Sequence, residues 1–192
     1  MSELAPIDAL VLLSLAISVY TDLTRMKIFN AVTLPLWVIG PLYWVLMWAL
    51  TPDASWHMAI IGVVGIAAML PIHFFFFAIG IDKGGDAKLM IAVGACLGWW
   101  IGLESTIWAI VLMGPVGAAI AIAKGRGANV LATARSLFVD PVRGMMGLPK
   151  GDKPEPLWVP KAPVIAAAVI LARLTPWLEA VLLNETTSAW VP

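Results

Sequence analysis

Long apolar runs, separated by short polar stretches, dominate this sequence and restrict its fold. Hydrophobic residues make up 61% of its 192 residues and charged residues only 12%, whereas a soluble domain carries roughly 25% charge. Runs of this length and apolarity are typical of membrane-spanning helices. The sequence therefore predicts an all-α polytopic membrane protein with one membrane-embedded domain over residues 1–192. The six predicted transmembrane helices are about Pro6–Thr21, Ala31–Leu50, Trp56–Gly80, Ala87–Ile101, Ser105–Ala123 and Pro163–Leu183.

The basic residues are distributed unequally among the loops. The loops after the first, third and fifth predicted spans, at about residues 22–30, 81–88 and 124–161, hold 11 of the 12 lysines and arginines. An excess of Lys and Arg marks cytoplasmic loops. We therefore predict that these three loops are cytoplasmic and that both termini lie on the non-cytoplasmic side. The residues predicted on that opposite side are Arg173 and the acids Glu3, Asp8, Asp53, Glu104, Glu179 and Glu185.

Two aspartates lie where a predicted span meets a cytoplasmic loop. Asp22 follows the first span, and Asp86 follows the pair Gly84-Gly85 after the third span. Two spans separate them, so both carboxylates are predicted on the same membrane face. A carboxylate at membrane depth is costly and is a candidate for function. Two nearby carboxylates do not easily both ionise, and such a pair can activate water and polarise a carbonyl. The pattern is that of an aspartic peptidase.

Structural roles for the same residues stay open on position alone. Asp22 is also a candidate N-cap or loop salt-bridge partner of Arg25. Asp86 is a candidate cap for the fourth helix, because a carboxylate stabilises a helix N-terminus, and capping is compatible with catalysis. A third carboxylate, Asp82, is predicted to pair with Lys83 or Lys88, with a place in the catalytic pair as the alternative.

Other chemistries have little support in the sequence. The single cysteine, Cys96, allows no internal disulfide and no CxxC zinc site, and we interpret it as a small buried helix residue. His57 and His73 offer too few ligands for a metal and are predicted to have packing or interface roles. No HExxH motif occurs. The net charge is zero, so no nucleic-acid partner is expected, and neither a metal nor a cofactor is predicted.

Three segments resemble the motifs of one family. Gly84 to Leu89, followed by Gly94-Ala95 and Leu97-Gly98, resembles the GxGD motif and the next helix of type IV prepilin peptidases. Asp22 to Asn30 resembles the family's first aspartate motif, an Asp followed by basic residues and Ile-Pro-Asn. Val159 to Pro163 resembles its closing Ile-Pro-x-x-Pro segment. The three segments occur in the family's order.

The resemblance implies an aspartic intramembrane endopeptidase. Such enzymes remove a short basic leader from type IV prepilins or pseudopilins on the cytoplasmic side of the bacterial inner membrane. The implied partners are a leader peptide, the lipid bilayer and the pilus-assembly machinery. The tetracysteine zinc insertion of larger members is missing, which implies the compact form similar to those of tight-adherence (Flp) pili, without N-methyltransferase activity. The implied catalytic residues are Asp22 and Asp86, and the implied motif support comes from Gly84, Gly85, Lys88 and Asn30.

Two residues depart from the family pattern. Lys83 stands where the first Gly of GxGD is expected, and Phe29 replaces the usual Pro. Lys83 would either disturb the proton shared by the two aspartates or extend towards the lipid headgroups, and we favour the second. The first outcome leads to the alternative function, a non-catalytic membrane scaffold or degenerate homologue in pilus assembly. A small proton-relaying transporter is a further alternative, but such folds usually show an internal repeat, and none is evident.

The long cytoplasmic loop carries two further hypotheses. Its acids Asp140, Asp152 and Glu155 would either meet a basic leader or stay solvated, and solvation is favoured. The segment Thr133–Val139 has the pattern of a short interfacial helix.

Overall fold

Six α-helices form the described part of the protein. In a computed structural model, residues 5–125 and 159–175 are described, and no strand occurs in these two ranges. The prediction of an all-α protein is confirmed for them. In chain order the helices are α1 (Pro6–Arg25), α2 (Asn30–Leu50), α3 (His57–Ala78), α4 (Gly84–Leu97), α5 (Trp99–Ala123) and α6 (Ala162–Leu174).

The backbone forms two compact units. The first contains Met1–Ile110 and Pro160–Pro192, and the second contains Val111–Val159. The first unit holds α1 to α4, the beginning of α5, and α6. The predictions of one membrane domain and of its three cytoplasmic loops stay predictions. Some predicted features lie outside the described residues: the interfacial segment Thr133–Val139, the acids Asp140, Asp152 and Glu155, and the end of the sixth predicted span at Leu183.

Four of the described helices are long and apolar enough to cross a membrane. These are α1, α2, α3 and α5, with 20, 21, 22 and 25 residues. The described helices α4 and α6 have 14 and 13 residues. A helix of that length rises about 20 Å, less than the hydrocarbon core of about 30 Å. Four spanning helices indicate a membrane protein, while the count of six spans and the sidedness of the termini stay predictions.

The short helix α4 is the interior element of the first unit. Nearly all of its residues from Asp86 to Cys96 are buried, and it packs against α1, α2, α3 and α6. Small residues allow this packing, as they do between membrane helices. A Cβ atom on Gly65 of α3 would lie 1.9 Å from the carbonyl oxygen of Gly94 in α4, so only glycine permits this approach.

Two tryptophans of α2 fix its position along α4. The indole Nε1 of Trp37 donates to the carbonyl oxygen of Lys88 at 3.0 Å, and that of Trp44 donates to the carbonyl oxygen of Cys96 at 3.0 Å. A buried indole N–H needs such an acceptor. Cys96 is buried, as predicted. The two bonds therefore hold both ends of α4 against one helix.

The boundary between the fourth and fifth helices differs from the prediction. The apolar run predicted a helix over Ala87–Ile101, but α4 ends at Leu97 and α5 begins at Trp99. Gly98 between them has φ 87°, a backbone conformation that favours glycine. The run carries no charge at this point, so hydropathy gave no sign of the break. Glu104, predicted in an outer loop, consequently lies within α5 and is only 2% exposed.

Candidate active site

Asp22 lies in the last turn of α1 and is buried, with 6% of its surface exposed. Its Oδ2 accepts a hydrogen bond from the backbone N–H of Ala162, the first residue of α6, at 3.0 Å. The N-terminus of a helix carries partial positive charge and stabilises a carboxylate. The guanidinium of Arg25 instead lies over the Phe29 ring, 5.7 Å from its centroid. Among residues 5–125 and 159–175 no ion pair joins Asp22 to Arg25, so the salt-bridge interpretation was wrong.

Asp86 occupies the first turn of α4 and is also buried, with 4% exposed. Its Oδ2 accepts a hydrogen bond from the backbone N–H of Lys83 at 3.1 Å. A carboxylate at this third position that reaches back to the residue before the helix is a common N-terminal cap. The capping role predicted for Asp86 is confirmed. The cap uses one carboxylate oxygen, so it leaves the other for chemistry.

The start of α6 contacts both of these carboxylates. Lys161 directly precedes Ala162, and its Nζ lies 3.9 Å from Oδ2 of Asp86. Two consecutive residues thus contact both aspartates, Ala162 by its N–H and Lys161 by its ammonium. The charge of Asp22 also acts on Asp86. The arrangement is a buried pair of carboxylates with a backbone donor to each and one ammonium beside Asp86.

A third carboxylate, Asp82, lies next to the pair. Its Oδ1 accepts from Lys161 Nζ at 3.2 Å, and Lys161 also donates to the carbonyl oxygen of Ile81. Its Oδ2 is hydrogen-bonded to His73 Nδ1 at 2.8 Å. Burial by itself raises the pKa of Asp82, but the hydrogen bond with His73 and the charge of Lys161 outweigh it. The pKa of Asp82 is therefore lowered.

The partners predicted for Asp82 were wrong. The ammonium of Lys88 donates to Asn30 Oδ1 at 3.0 Å, and Lys83 is exposed. Both lysines are close to Asp82 in sequence, which is why they were predicted. The actual partner, Lys161, is supplied by α6 from the far end of the chain, and only the packing of α6 against α1 and α4 brings it here.

His73 has a polar role that the sequence did not reveal. It is only 3% exposed, and its Nε2 is hydrogen-bonded to Thr106 Oγ1 at 3.1 Å. A row of hydrogen bonds therefore runs from Thr106 through His73 and Asp82 to Lys161. The available signal in the sequence was a histidine within an apolar helix that ends shortly before Asp82. The other histidine, His57, packs against Trp56, as predicted, and the centroids of the two rings are 4.1 Å apart.

Three of the four residues predicted to support the motif, Gly85, Lys88 and Asn30, connect the two aspartate segments. A Cβ atom on Gly85 would lie 3.0 Å from Cβ of Ile28, so glycine lets the first turn of α4 approach the loop after α1. The hydrogen bond between Lys88 and Asn30 joins the same two segments. Gly84 has no contact of this closeness, since an added Cβ would meet only a ring carbon of Phe77 at 3.8 Å.

Comparison with known proteins gives a family. The model of the type IV leader peptidase family matches residues 9–118, which include Asp22, Asp86 and helices α2 to α4 entire. The chain belongs to the type IV leader peptidase family. Searches of curated proteins and of solved structures gave no match. Family membership makes the protein a protease, and its spanning helices make it a membrane protein.

The family match ends before α6. This type IV leader peptidase homologue therefore has both aspartates inside the matched residues but Lys161 and Ala162 outside them. The contacts that these two residues make with the aspartates come from the structure alone.

Proposed function

We propose that the protein is an aspartic endopeptidase that removes the basic leader from type IV prepilins or pseudopilins. In this proposal it cuts at the cytoplasmic face of the bacterial inner membrane and transfers no methyl group to the product. The observation that carries the proposal is the convergence of Asp22 and Asp86, two buried carboxylates, on the Lys161–Ala162 segment.

The chemistry follows from the two carboxylates in different protonation states. One is ionised and takes a proton from a water molecule, whose oxygen then attacks the carbonyl carbon of the scissile peptide bond. The other is protonated and donates a hydrogen bond to the carbonyl oxygen. When the carbon–nitrogen bond breaks, the departing amine takes up a proton and the pair returns to its singly protonated state.

The surroundings of the pair support hydrolysis in a membrane. The site lies at the ends of helices, where backbone N–H groups of Lys83 and Ala162 already hold the carboxylates. Preorganised groups need little rearrangement during reaction, and a buried location strengthens their electrostatic effect. The basic loops near the site favour a cytoplasmic position.

The feature that favoured a non-catalytic scaffold has a simple structural explanation. Lys83 replaces the first Gly of the motif, but its φ of −85° at the N-cap needs no glycine. Its side chain is exposed, and it is the backbone N–H that contacts Asp86. This geometry supports an enzyme over a degenerate homologue.

The test is cleavage of a full-length prepilin by the purified protein in detergent. Asp22→Asn and Asp86→Asn should each lower the cleavage rate by at least about a hundredfold, because either change removes an acid–base group. Gel electrophoresis measures the uncut prepilin. Mass spectrometry of the product should find an unmethylated N-terminus.

Asp53→Asn is the matched control. Asp53 is an exposed residue in the turn between α2 and α3, with φ 61°, and asparagine tolerates that conformation. The variant loses one carboxylate but should cut at the wild-type rate. Normal cleavage by either Asp22→Asn or Asp86→Asn would refute the proposed pair.

A further inference from the structure

The ammonium of Lys161 is held between two carboxylates by three groups. It donates to the carbonyl oxygen of Ile81 and to Asp82 Oδ1, and lies 3.9 Å from Oδ2 of Asp86. Only 19% of its side chain is exposed. A lysine carries large rotamer entropy, so fixing it in one position needs several partners. Lys161 is thus a built part of the site and not a surface charge.

Asp82 and His73 fix this ammonium in turn. Asp82 uses one oxygen for Lys161 and the other for His73. His73 is anchored by Thr106, whose hydroxyl is also bonded to the Gly102 carbonyl oxygen at 2.9 Å. The row of bonds ends on the backbone of α5, so the position of Lys161 is set by α3 and α5 as well as by α6.

We propose that Lys161 is a positioning residue that holds Asp86 and the turn before α4 in the geometry for peptide cleavage, and that Asp82 and His73 keep its ammonium in place. This inference rests on the proposed function, because it gives Lys161 its role through Asp86. It adds to the aspartate pair a cation from outside the family match. The ammonium favours the ionised state of the nearby carboxylate, while the other carboxylates oppose it.

Several charged or titratable groups act on Asp86 together, so a pH dependence must be tested against all of them. The charges of Lys161 from α6, Asp82 from the turn before α4 and Asp22 from α1 act on Asp86, and the backbone N–H of Lys83 binds it. His73 from α3 is bonded to Asp82, and the Lys88 ammonium of α4 is bonded to Asn30. Lys161 has the ammonium described closest to Asp86. Removing this ammonium changes the sum of the charges that act on Asp86 while both aspartates stay in place.

The experiment measures kcat/KM for prepilin cleavage from pH 4 to pH 9 with the full-length protein in detergent. Lys161→Met should move the acid limb of the profile to higher pH by about one unit or more, since loss of a nearby cation disfavours ionisation. The loss of activity is then larger at low pH than at high pH. Lys161→Arg keeps the charge and should keep the wild-type limb.

Lys27→Met is the matched control for loss of one positive charge. Lys27 is exposed in the loop after α1, with its Nζ 5.8 Å from the centroid of the Phe29 ring. The acid limb of the pH profile of the Lys27→Met variant should stay at the wild-type pH. Lys161→Gln is a second neutral variant, so the test does not depend on the folding of Lys161→Met.

A double-mutant cycle tests the role of Asp82. Asp82→Asn and Lys161→Met should each lower kcat/KM about tenfold, and the double variant should lose little more than either alone, because the two groups act as one unit. Additive losses would contradict the proposed anchoring of Lys161 by Asp82.

The outcomes separate this inference from the function on which it rests. A wild-type protein that leaves the leader attached would overturn both. If the wild type cuts and Asp86→Asn does not, the function stands. Folded Lys161→Met and Lys161→Gln proteins with the wild-type acid limb would then overturn the positioning role alone.

Discussion

At the residue scale, Lys83 and Lys161 show that nearness in sequence is a poor guide to electrostatic partners. Lys83 is three residues from Asp86, yet its side chain is exposed and its backbone makes the contact. Lys161 is far away in sequence, yet its ammonium lies 3.9 Å from the same carboxylate. The difference arises because the packing of α6 against α1 and α4 brings Lys161 to the carboxylate, whereas the Lys83 side chain at the start of α4 is exposed. The departure from the family motif at Lys83 is therefore compatible with an intact site.

Asp82 should make the stability of the protein depend on acid pH. Its pKa is lowered from 3.8 in the folded state, so its pairing stabilises the fold fully above that value. The stabilisation is lost as the pH falls through the lowered pKa. The melting temperature in detergent should fall for the wild type below about pH 4, and this fall should be smaller for Asp82→Asn.

The same comparison carries its own control. At pH 7 the Asp82→Asn variant should melt below the wild type, since Lys161 and His73 lose a charged partner. Equal melting temperatures at pH 7, or the same fall with acid in both proteins, would contradict a stabilising role for the ionised Asp82.

At the scale of elements, α4 depends on close backbone contact more than on large side chains. Its residues Gly94 and Ala95 face glycines of α3 and α2, and a Cβ atom on Gly40 would lie 2.4 Å from the Ala95 carbonyl oxygen. Close approach brings many atoms into van der Waals contact, which drives packing where lipid supplies no hydrophobic force. Because Asp86 is in the first turn of α4, the position of this helix also sets the position of the carboxylate.

Gly65→Ala should destabilise the protein by about 2 kcal/mol, because the added methyl group would lie 1.9 Å from the Gly94 carbonyl oxygen. Thermal unfolding in detergent measures the effect. Cleavage should fall in the surviving folded fraction as well, since α4 and Asp86 shift together.

Gly117→Ala in α5 is the control for the same chemical change. An added Cβ there meets nothing within 4 Å, and alanine forms helices more readily than glycine. We expect an unchanged or slightly higher melting temperature. If the Gly65→Ala protein had the wild-type melting temperature, the backbones of α3 and α4 would not approach each other as closely at Gly65 and Gly94 as the structure shows.

At the scale of the whole molecule, α1 and α6 are paired antiparallel and tied at both ends. Asp22, near the end of α1, binds the first N–H of α6. Asp8, at the start of α1, accepts two bonds from Arg173, at 3.0 Å from Nε and 2.9 Å from Nη2. Two-point pairing of this kind is strong and directional. The candidate active site and the Asp8–Arg173 pair therefore lie at opposite ends of the helix pair.

The predicted orientation can be tested by adding one cysteine, at Lys27 in one variant and at Asp53 in another. A thiol reagent that cannot cross the membrane should label Lys27→Cys only in inverted vesicles and Asp53→Cys only in intact cells, because basic loops stay in the cytoplasm. Both positions are exposed. The wild type is the control, since its single cysteine, Cys96, is buried and should not react.

The reverse labelling pattern would invert the topology and move the proposed cleavage site to the other face. If both positions were labelled from the same side of the membrane, α2, which lies between them in the chain, would not cross the membrane.

The sequence by itself determined the helical membrane class, the two aspartates and the family motifs around them. These depend on local composition and spacing, because hydrophobic length defines a span and each motif is contiguous. The tertiary structure decided which groups act on the carboxylates. Lys161, Ala162 and His73 reach the site only through the packing of α6 and α3, and the break at Gly98 depends on one backbone angle. Contacts between distant segments depend on side-chain packing in three dimensions, which neither hydropathy nor motif order encodes.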